Sequence, residues 1–280
     1  MDNKKILVVG VTGQQGGAVA RQLLKDEWQV YGLTRNANSP TAQAVSAKGI
    51  QLIEGNLDDR ASLDKALEGM YGVFSVQNFM DKGVEGETEQ GIRLADAAQD
   101  ASIQHFIYSS VGGADRNTGI PHFESKWKIE QHIQTLGLPA TILRPTLFMD
   151  MFASFGFRTM LLTMLSSMVR RDKGIQVIAV EDIGTFARIA FNDPATYIGK
   201  ALEIAGDELS PVQLRQAISK ASGQFVPYVK LPRFMTSRLP EEMSTMLNWF
   251  DTFGYQANIS NLRQLHPTLL NFQGWWASKE

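Results

Sequence analysis

The chain has 280 residues, with 27 Lys plus Arg against 29 Asp plus Glu, for a formal net charge of −2. It is 44% hydrophobic and 20% charged, which excludes a mostly disordered chain and is enough for a sizeable core. The near-neutral balance gives no footprint for direct nucleic-acid binding, and the absence of Cys removes disulfides, thiol nucleophiles and Cys-based zinc sites. His105, His122, His132 and His266 lack His-Glu-x-x-His spacing, so no metal site is expected. The first nine residues lack the long apolar region of a signal peptide, and Met160 to Val169 is too short to span a bilayer. A soluble, cytoplasmic protein is expected, with no membrane role. The basic cluster Arg170, Arg171 and Lys173 reads as a solvated helix end.

Taken in chain order, Lys5 to Val9 is predicted as a strand and Gly16 to Lys25 as a helix. Strands are predicted at Gln29 to Leu33 and Ile50 to Glu54, then a helix over Arg60 to Leu67. A strand at Gly72 to Val76, a helix around Gln90 to Ala101 and a strand at Phe106 to Ser109 follow. Trp127 to Leu136 reads as helical and Ala140 to Leu143 as extended. Strands without polar alternation, separated by helices, predict an α/β fold: a doubly wound parallel sheet of the Rossmann type. After Pro145 the pattern changes. Ser210 is a candidate N-cap with Pro211 behind it, Gly223 closes that helix, Phe225 to Val229 looks extended, and Pro240 to Phe253 is helical, with Gly254 as a stop. Residues 1–150 are expected to form the nucleotide-binding domain, with 175–205 returning to it. Residues 151–174 and 206–280 are expected to form a smaller C-terminal α/β region for substrate or partner.

The strongest motif is Gly10-Val11-Thr12-Gly13-Gln14-Gln15-Gly16-Gly17, between a strand and a helix. Small residues let the backbone turn tightly and approach a pyrophosphate, which then meets the unpaired N–H groups of a helix N-terminus. A glycine turn that only packs a helix on a strand is the competing reading. No Gly-Lys-Ser/Thr closes the loop, so a mononucleotide P-loop is excluded. The second strand ends in Leu33-Thr34-Arg35-Asn36, without the acid that would read an NAD ribose. Arg35 offers a guanidinium fork suited to a 2′-phosphate, so the expected cofactor is NADP(H). Asn56, Leu57 and Asp58 end the third strand and border the adenine, or Asp58 only caps the helix near Arg60. Gln77, Asn78 and Phe79 end the fourth strand, where the cofactor would cross the sheet.

Three segments together resemble the NmrA-like branch of the atypical short-chain dehydrogenases: 10–17, Leu-Thr-Arg-Asn at 33–36, and Pro-His-Phe-Glu-Ser-Lys at 121–126. Leu-Gly-Leu-Pro-Ala-Thr-Ile-Leu-Arg-Pro-Thr at 136–146 extends the likeness, which covers about 4–205 well and the rest loosely. The resemblance implies an NADP-binding Rossmann fold with a small C-terminal domain. The family includes redox-sensing regulators that bind partner proteins, and related branches include quinone reductases. It further implies pyrophosphate contacts from Gly10, Val11, Thr12, Gly13, Gln14, Gln15 and Gly16, and a 2′-phosphate held by Arg35 and Asn36. Asn56 and Leu57 would border the adenine, Gln77, Asn78 and Phe79 the central ribose, Lys126 the nicotinamide ribose, and Phe148 the nicotinamide. Relatives carry a second Lys where this chain has Glu89, and Asn where it has Met151.

The usual catalytic Tyr-x-x-x-Lys is missing, because no tyrosine precedes a lysine by four residues; His122 stands four before Lys126. No catalytic residue is therefore assigned. A redox-sensing or regulatory protein without strong turnover is expected first. An NADPH-dependent reductase of quinones or small hydrophobic carbonyls and enones is the alternative, with Lys126 or His122 handling a proton. Its partners would be a regulatory protein or a small hydrophobic substrate, and a homodimer is compatible with either. Met160, Met164 and Met168 share a helix face that reads first as core.

Overall fold

The computed structural model describes residues 4–279. Its main sheet has seven parallel strands in the order β3-β2-β1-β4-β5-β6-β9. These are β1 Lys5–Val8, β2 Gln29–Thr34, β3 Gln51–Glu54, β4 Gly72–Ser75, β5 His105–Ser109, β6 Ala140–Pro145 and β9 Ala201–Ile204. The central strands carry unbroken apolar runs because both of their faces are covered. Strand order reverses between β1 and β4, which leaves a crevice at their carboxyl ends. In register, Ile6 of β1 lies between Val30 of β2 and Gly72 of β4.

One face of the sheet is covered by α1 (Gln14–Leu23) and α7 (Val180–Asn192), the other by α3 (Arg60–Leu67), α4 (Phe79–Asp100) and α5 (Pro121–Leu136). α2 (Pro40–Ser46) follows β2, and α8 (Pro194–Tyr197) precedes β9. α1 and α7 approach closely because Gly184 has no side chain; a Cβ there would lie 2.7 Å from the Ala18 backbone. Gly91 of α4 plays the same part toward α5, where a Cβ would meet Ile129 Cδ1 at 2.5 Å.

A second, three-stranded sheet has the order β10-β8-β7, with β7 Leu147–Phe148, β8 Ile175–Ile178 and β10 Asp207–Leu209. Its own cluster includes Phe152, Leu165, Leu214, Leu247, Trp249, Phe250, Phe272 and Trp275. α6 (Phe155–Met168), α9 (Pro211–Ser222), α10 (Arg233–Thr236), α11 (Glu241–Thr252), α12 (Ile259–Leu265) and α13 (Phe272–Ala277) complete the chain. Ser210 and Gln213 close a reciprocal capping box on α9, and Gly223 ends it at φ +64°. Thus 175–205 divides: β8 joins the small sheet, while α7 and β9 cover and extend the large one.

Several local expectations need revision. α4 begins at Phe79, well before Gln90, and bends at Lys82 and Gly83 (φ +70°); its glycines and alternating acids resemble a loop in sequence. α5 begins at Pro121, a first-turn position where the missing N–H costs nothing. Phe225 to Val229 carries no strand. The basic cluster does follow the end of α6 with Arg170 and Arg171 exposed, and it is also tethered: Arg170 pairs with Asp251 at 3.2 Å, Lys173 Nζ donates to Phe253 O, and Arg171 lies over the Tyr228 ring. The methionine stripe is only half core, since Met160 is exposed and borders an open depression of about 420 Å³ with Phe155, Met164 and Leu231.

Candidate functional site

Along the carboxyl edge of the large sheet, the strand ends bring five groups into one row. In order these are Asn56 and Leu57, Arg35 and Asn36, the glycine loop, Gln77 to Phe79, and Ser109 with Ser110. Gly10 has φ +67°, a conformation that side chains resist. A Cβ on Gly16 would overlap the Gly10 and Val9 carbonyl oxygens, so this glycine lets α1 sit directly on the end of β1. Gly13 is different: it is the N-cap of α1 in ordinary extended geometry, φ −94°, and no side chain caps the helix. Thr12, Gly13 and Gln14 are exposed, so the helix N-terminus opens to solvent with its dipole end free for an anion. Gln15 turns inward, and its Oε1 accepts a 2.7 Å hydrogen bond from Ser109 Oγ.

At the β2 and β3 ends of the row, Arg35 is 77% exposed and its nearest carboxylate is Asp81, at 3.8 Å. Asn36 Oδ1 accepts from the Asn38 N–H, and Asn56 Oδ1 from the Asp58 N–H, so both side chains shape their own turns. The Leu57 carbonyl accepts from Arg93 at 2.9 Å. The helix cap is Asp59, which accepts from the Ala61 N–H, and not Asp58. Asp58 instead receives Lys82 at 2.6 Å and Gln90 at 3.0 Å. These hydrogen bonds, Lys82 first, hold its carboxyl below the usual range.

The other half of the row is more buried. Gln77 Nε2 donates to Ser75 Oγ, while Gln77 Oε1 and Ser110 Oγ are buried without a hydrogen-bond partner among the described residues. Such orphaned atoms fit a ligand that brings its own polar groups. Asn78 caps α4 by accepting from the Met80 N–H, and Phe79 stacks on His122 with ring centroids 4.8 Å apart. His122 Nδ1 lies 2.6 Å from Glu242 Oε1 on α11, which ties the second region to the first. Burial lowers the His122 pKa, against the opposing pull of Glu242. Phe148, in β7, is half-buried.

Lys126 is not free. Its ammonium donates to Glu87 Oε1 at 2.8 Å, and Ser125 Oγ donates to Glu87 Oε2 at 2.5 Å. Glu87 is fully buried, whereas Glu89 is exposed. Tyr108 Oη is also buried without a partner among the described residues, and burial, then Glu87 and Glu130, pushes its pKa well up. Sequence reasoning missed Glu87, Ser125 and Glu242. The available signal was Glu87 and Gly91 four apart on one helix face, hidden because that helix was expected to begin later. No group of three or more His, Cys, Asp or Glu among the described residues could hold a metal.

The family model for the NmrA-like family matches residues 2–275. The chain belongs to the NmrA-like family. Among relatives, it is 32% identical to an NmrA-like family domain-containing oxidoreductase of Aspergillus hancockii, over 86% of this chain and 80% of that protein. Among solved structures, the fold matches NmrA, a negative transcriptional regulator crystallised with NADP, at TM-score 0.79 and 21% identity, covering 99% of this chain and 95% of that one. It also matches an NADPH-dependent quinone oxidoreductase from Escherichia coli complexed with NADPH, at TM-score 0.80 and 21% identity, covering 98% and 99%. At these identities the two structures share the NmrA-like fold with this chain. No helix among the described residues is long and apolar enough to cross a membrane.

Proposed function

We propose that this NmrA-like protein binds NADP(H) along the carboxyl edge of its large sheet and works as a nucleotide-responsive regulatory protein. The fit to the cofactor rests on the uncapped N-terminus of α1 and on the orphaned Gln77 and Ser110 oxygens. Gly10 to Gly16 would hold the pyrophosphate, and Arg35 with Asn36 the 2′-phosphate. Asn56 and Leu57 would border the adenine, and Gln77 to Phe79 the central ribose. Lys126 would serve the nicotinamide ribose, with Phe148 closing that end. When bound, the cofactor supplies a transferable hydride. The observation that favours regulation over turnover is His122. It stands where a catalytic phenol is expected, and its Nδ1 and ring face are engaged by Glu242 and Phe79. A partner protein would then read the region 151–174 and 206–280.

A reductase is the second reading. It is favoured by Lys126, an ammonium 12% exposed, with one of its three N–H groups given to Glu87. Its substrates would be quinones or small hydrophobic carbonyls and enones. One experiment separates the two: NADPH oxidation against a quinone and enone panel, run beside calorimetric titration of the cofactor. Binding with turnover far below about 1 s⁻¹ supports regulation, and turnover at or above that rate supports the reductase.

A further inference from the structure

We infer that Glu87 is the positioning residue for Lys126, setting the ammonium for the nicotinamide half of the cofactor. The inference rests on the NADP(H) reading above, though not on whether turnover follows. Glu87 is 0% exposed, and its two oxygens are taken by consecutive residues of α5, Ser125 and Lys126. A buried carboxylate gripping two neighbours in this way holds the lysine side chain in one direction. The frame behind it is closely packed. Glu87 and Gly91 lie one turn apart on α4 and face Ser125 and Ile129, one turn apart on α5. Gly91 allows the helices to close, and Glu87 then spans the remaining gap. The bend at Lys82 and Gly83 lets the same helix start at the cofactor crossing and still bring Glu87 over α5. Ser125 satisfies the second oxygen of the buried carboxylate, and the lysine held on the first stands at the proposed ribose position. Glu87 would therefore act on the cofactor through Lys126 and not by touching it.

The test uses the full-length protein and two probes: NADPH, and adenosine 2′,5′-bisphosphate, which lacks the nicotinamide half. Wild type, Glu87→Gln, Lys126→Met, the double variant and Gly91→Ala are titrated calorimetrically, with circular dichroism as the check on folding. Glu87→Gln and Lys126→Met should each weaken NADPH about ten-fold or more, as loss of a charged contact implies. Their effects should not add in the double variant. Affinity for the bisphosphate should stay within about two-fold throughout. Gly91→Ala, which pushes the helices apart, should follow Glu87→Gln. It also supplies the comparison if Lys126→Met does not fold. The inference is overturned if Glu87→Gln binds NADPH like wild type, if both probes weaken equally, or if the two substitutions add. A wild type that binds neither probe overturns the NADP(H) reading itself, a result distinct from all of these.

Discussion

At the scale of single residues, two side chains carry the sharpest tests of the proposed site. Arg35 stands at the end of β2 with no buried partner, so its guanidinium is available to a 2′-phosphate. Charge-assisted hydrogen bonds of this type contribute about 1.5–3 kcal/mol, roughly a ten- to hundred-fold preference. NADPH and NADP⁺ are thus expected to bind more tightly than NADH and NAD⁺, and Arg35→Ala should remove the difference in a four-ligand titration. Asp81 competes for the same guanidinium. Both groups are exposed and 3.8 Å apart, so screening keeps that effect small, and Asp81→Asn should tighten NADPH by no more than a few-fold. Lys126 carries the second prediction. Lys126→Met strands the buried Glu87 carboxylate, at an expected loss of about 3–5 kcal/mol of stability. Adding Glu87→Gln removes the stranded charge and should restore most of that loss in urea unfolding.

At the scale of elements, the glycine loop combines two different demands that one motif conceals. Gly16 answers to packing, because its missing side chain brings α1 onto the Gly10 and Val9 carbonyls. Gly13 answers mainly to the surface, because its backbone is ordinary; a Cβ there would sit a tight 3.2 Å from the Gly10 carbonyl oxygen, against 2.3 Å at Gly16. Gly16→Ala should therefore destabilise the apo protein by about 1–3 kcal/mol, as overpacking does. Gly13→Val should stay folded while losing dinucleotide affinity, because its methyl groups occupy the anion's space. Circular dichroism melts beside calorimetry distinguish the two variants, and equal apo stability would contradict the division of roles. The pairing of α4 with α5 follows the same logic: a glycine permits the approach, and a charged pair exploits it.

At the scale of the whole molecule, stability should depend on pH through buried histidine. His105, at the start of β5, is fully buried between Thr141, 2.8 Å from its Nε2, and the edge of Phe191. Burial lowers its pKa to about 4. An unfolded chain takes up this proton near 6.5, whereas the folded chain refuses it until about 4. The neutral ring's contribution is complete above pH 6.5 and declines as pH falls toward 4, by roughly 3 kcal/mol in total. His122, lowered by burial, adds in the same direction. Urea midpoints measured from pH 7.5 down to 4 should fall steadily, and His105→Leu should flatten that slope. Cofactor linkage acts on the same equilibrium: NADPH at about 100 times its Kd should add about 2.7 kcal/mol and raise the Tm.

The sequence by itself determined the alternation of strand and helix, the glycine loop after β1 and the arginine after β2. Each is written in neighbouring residues: apolar runs, turn formers, and a missing acid at one strand end. It also placed His122 four residues before Lys126, although only the structure put both on one helix. Tertiary structure decided who meets whom. Glu87 reaches Lys126 across 39 positions, and Glu242 reaches His122 across 120. It also decided that β8 leaves the large sheet while α7 and β9 remain with it. Asp58 was the cap expected from sequence, yet Asp59 caps α3, and Asp58 is taken by Lys82 and Gln90. The physical reason is common to all four cases. Propensity and periodicity act within a few residues. A buried pair or a strand order is selected by close packing and by the cost of leaving a polar group alone, and both depend on what the rest of the chain brings alongside.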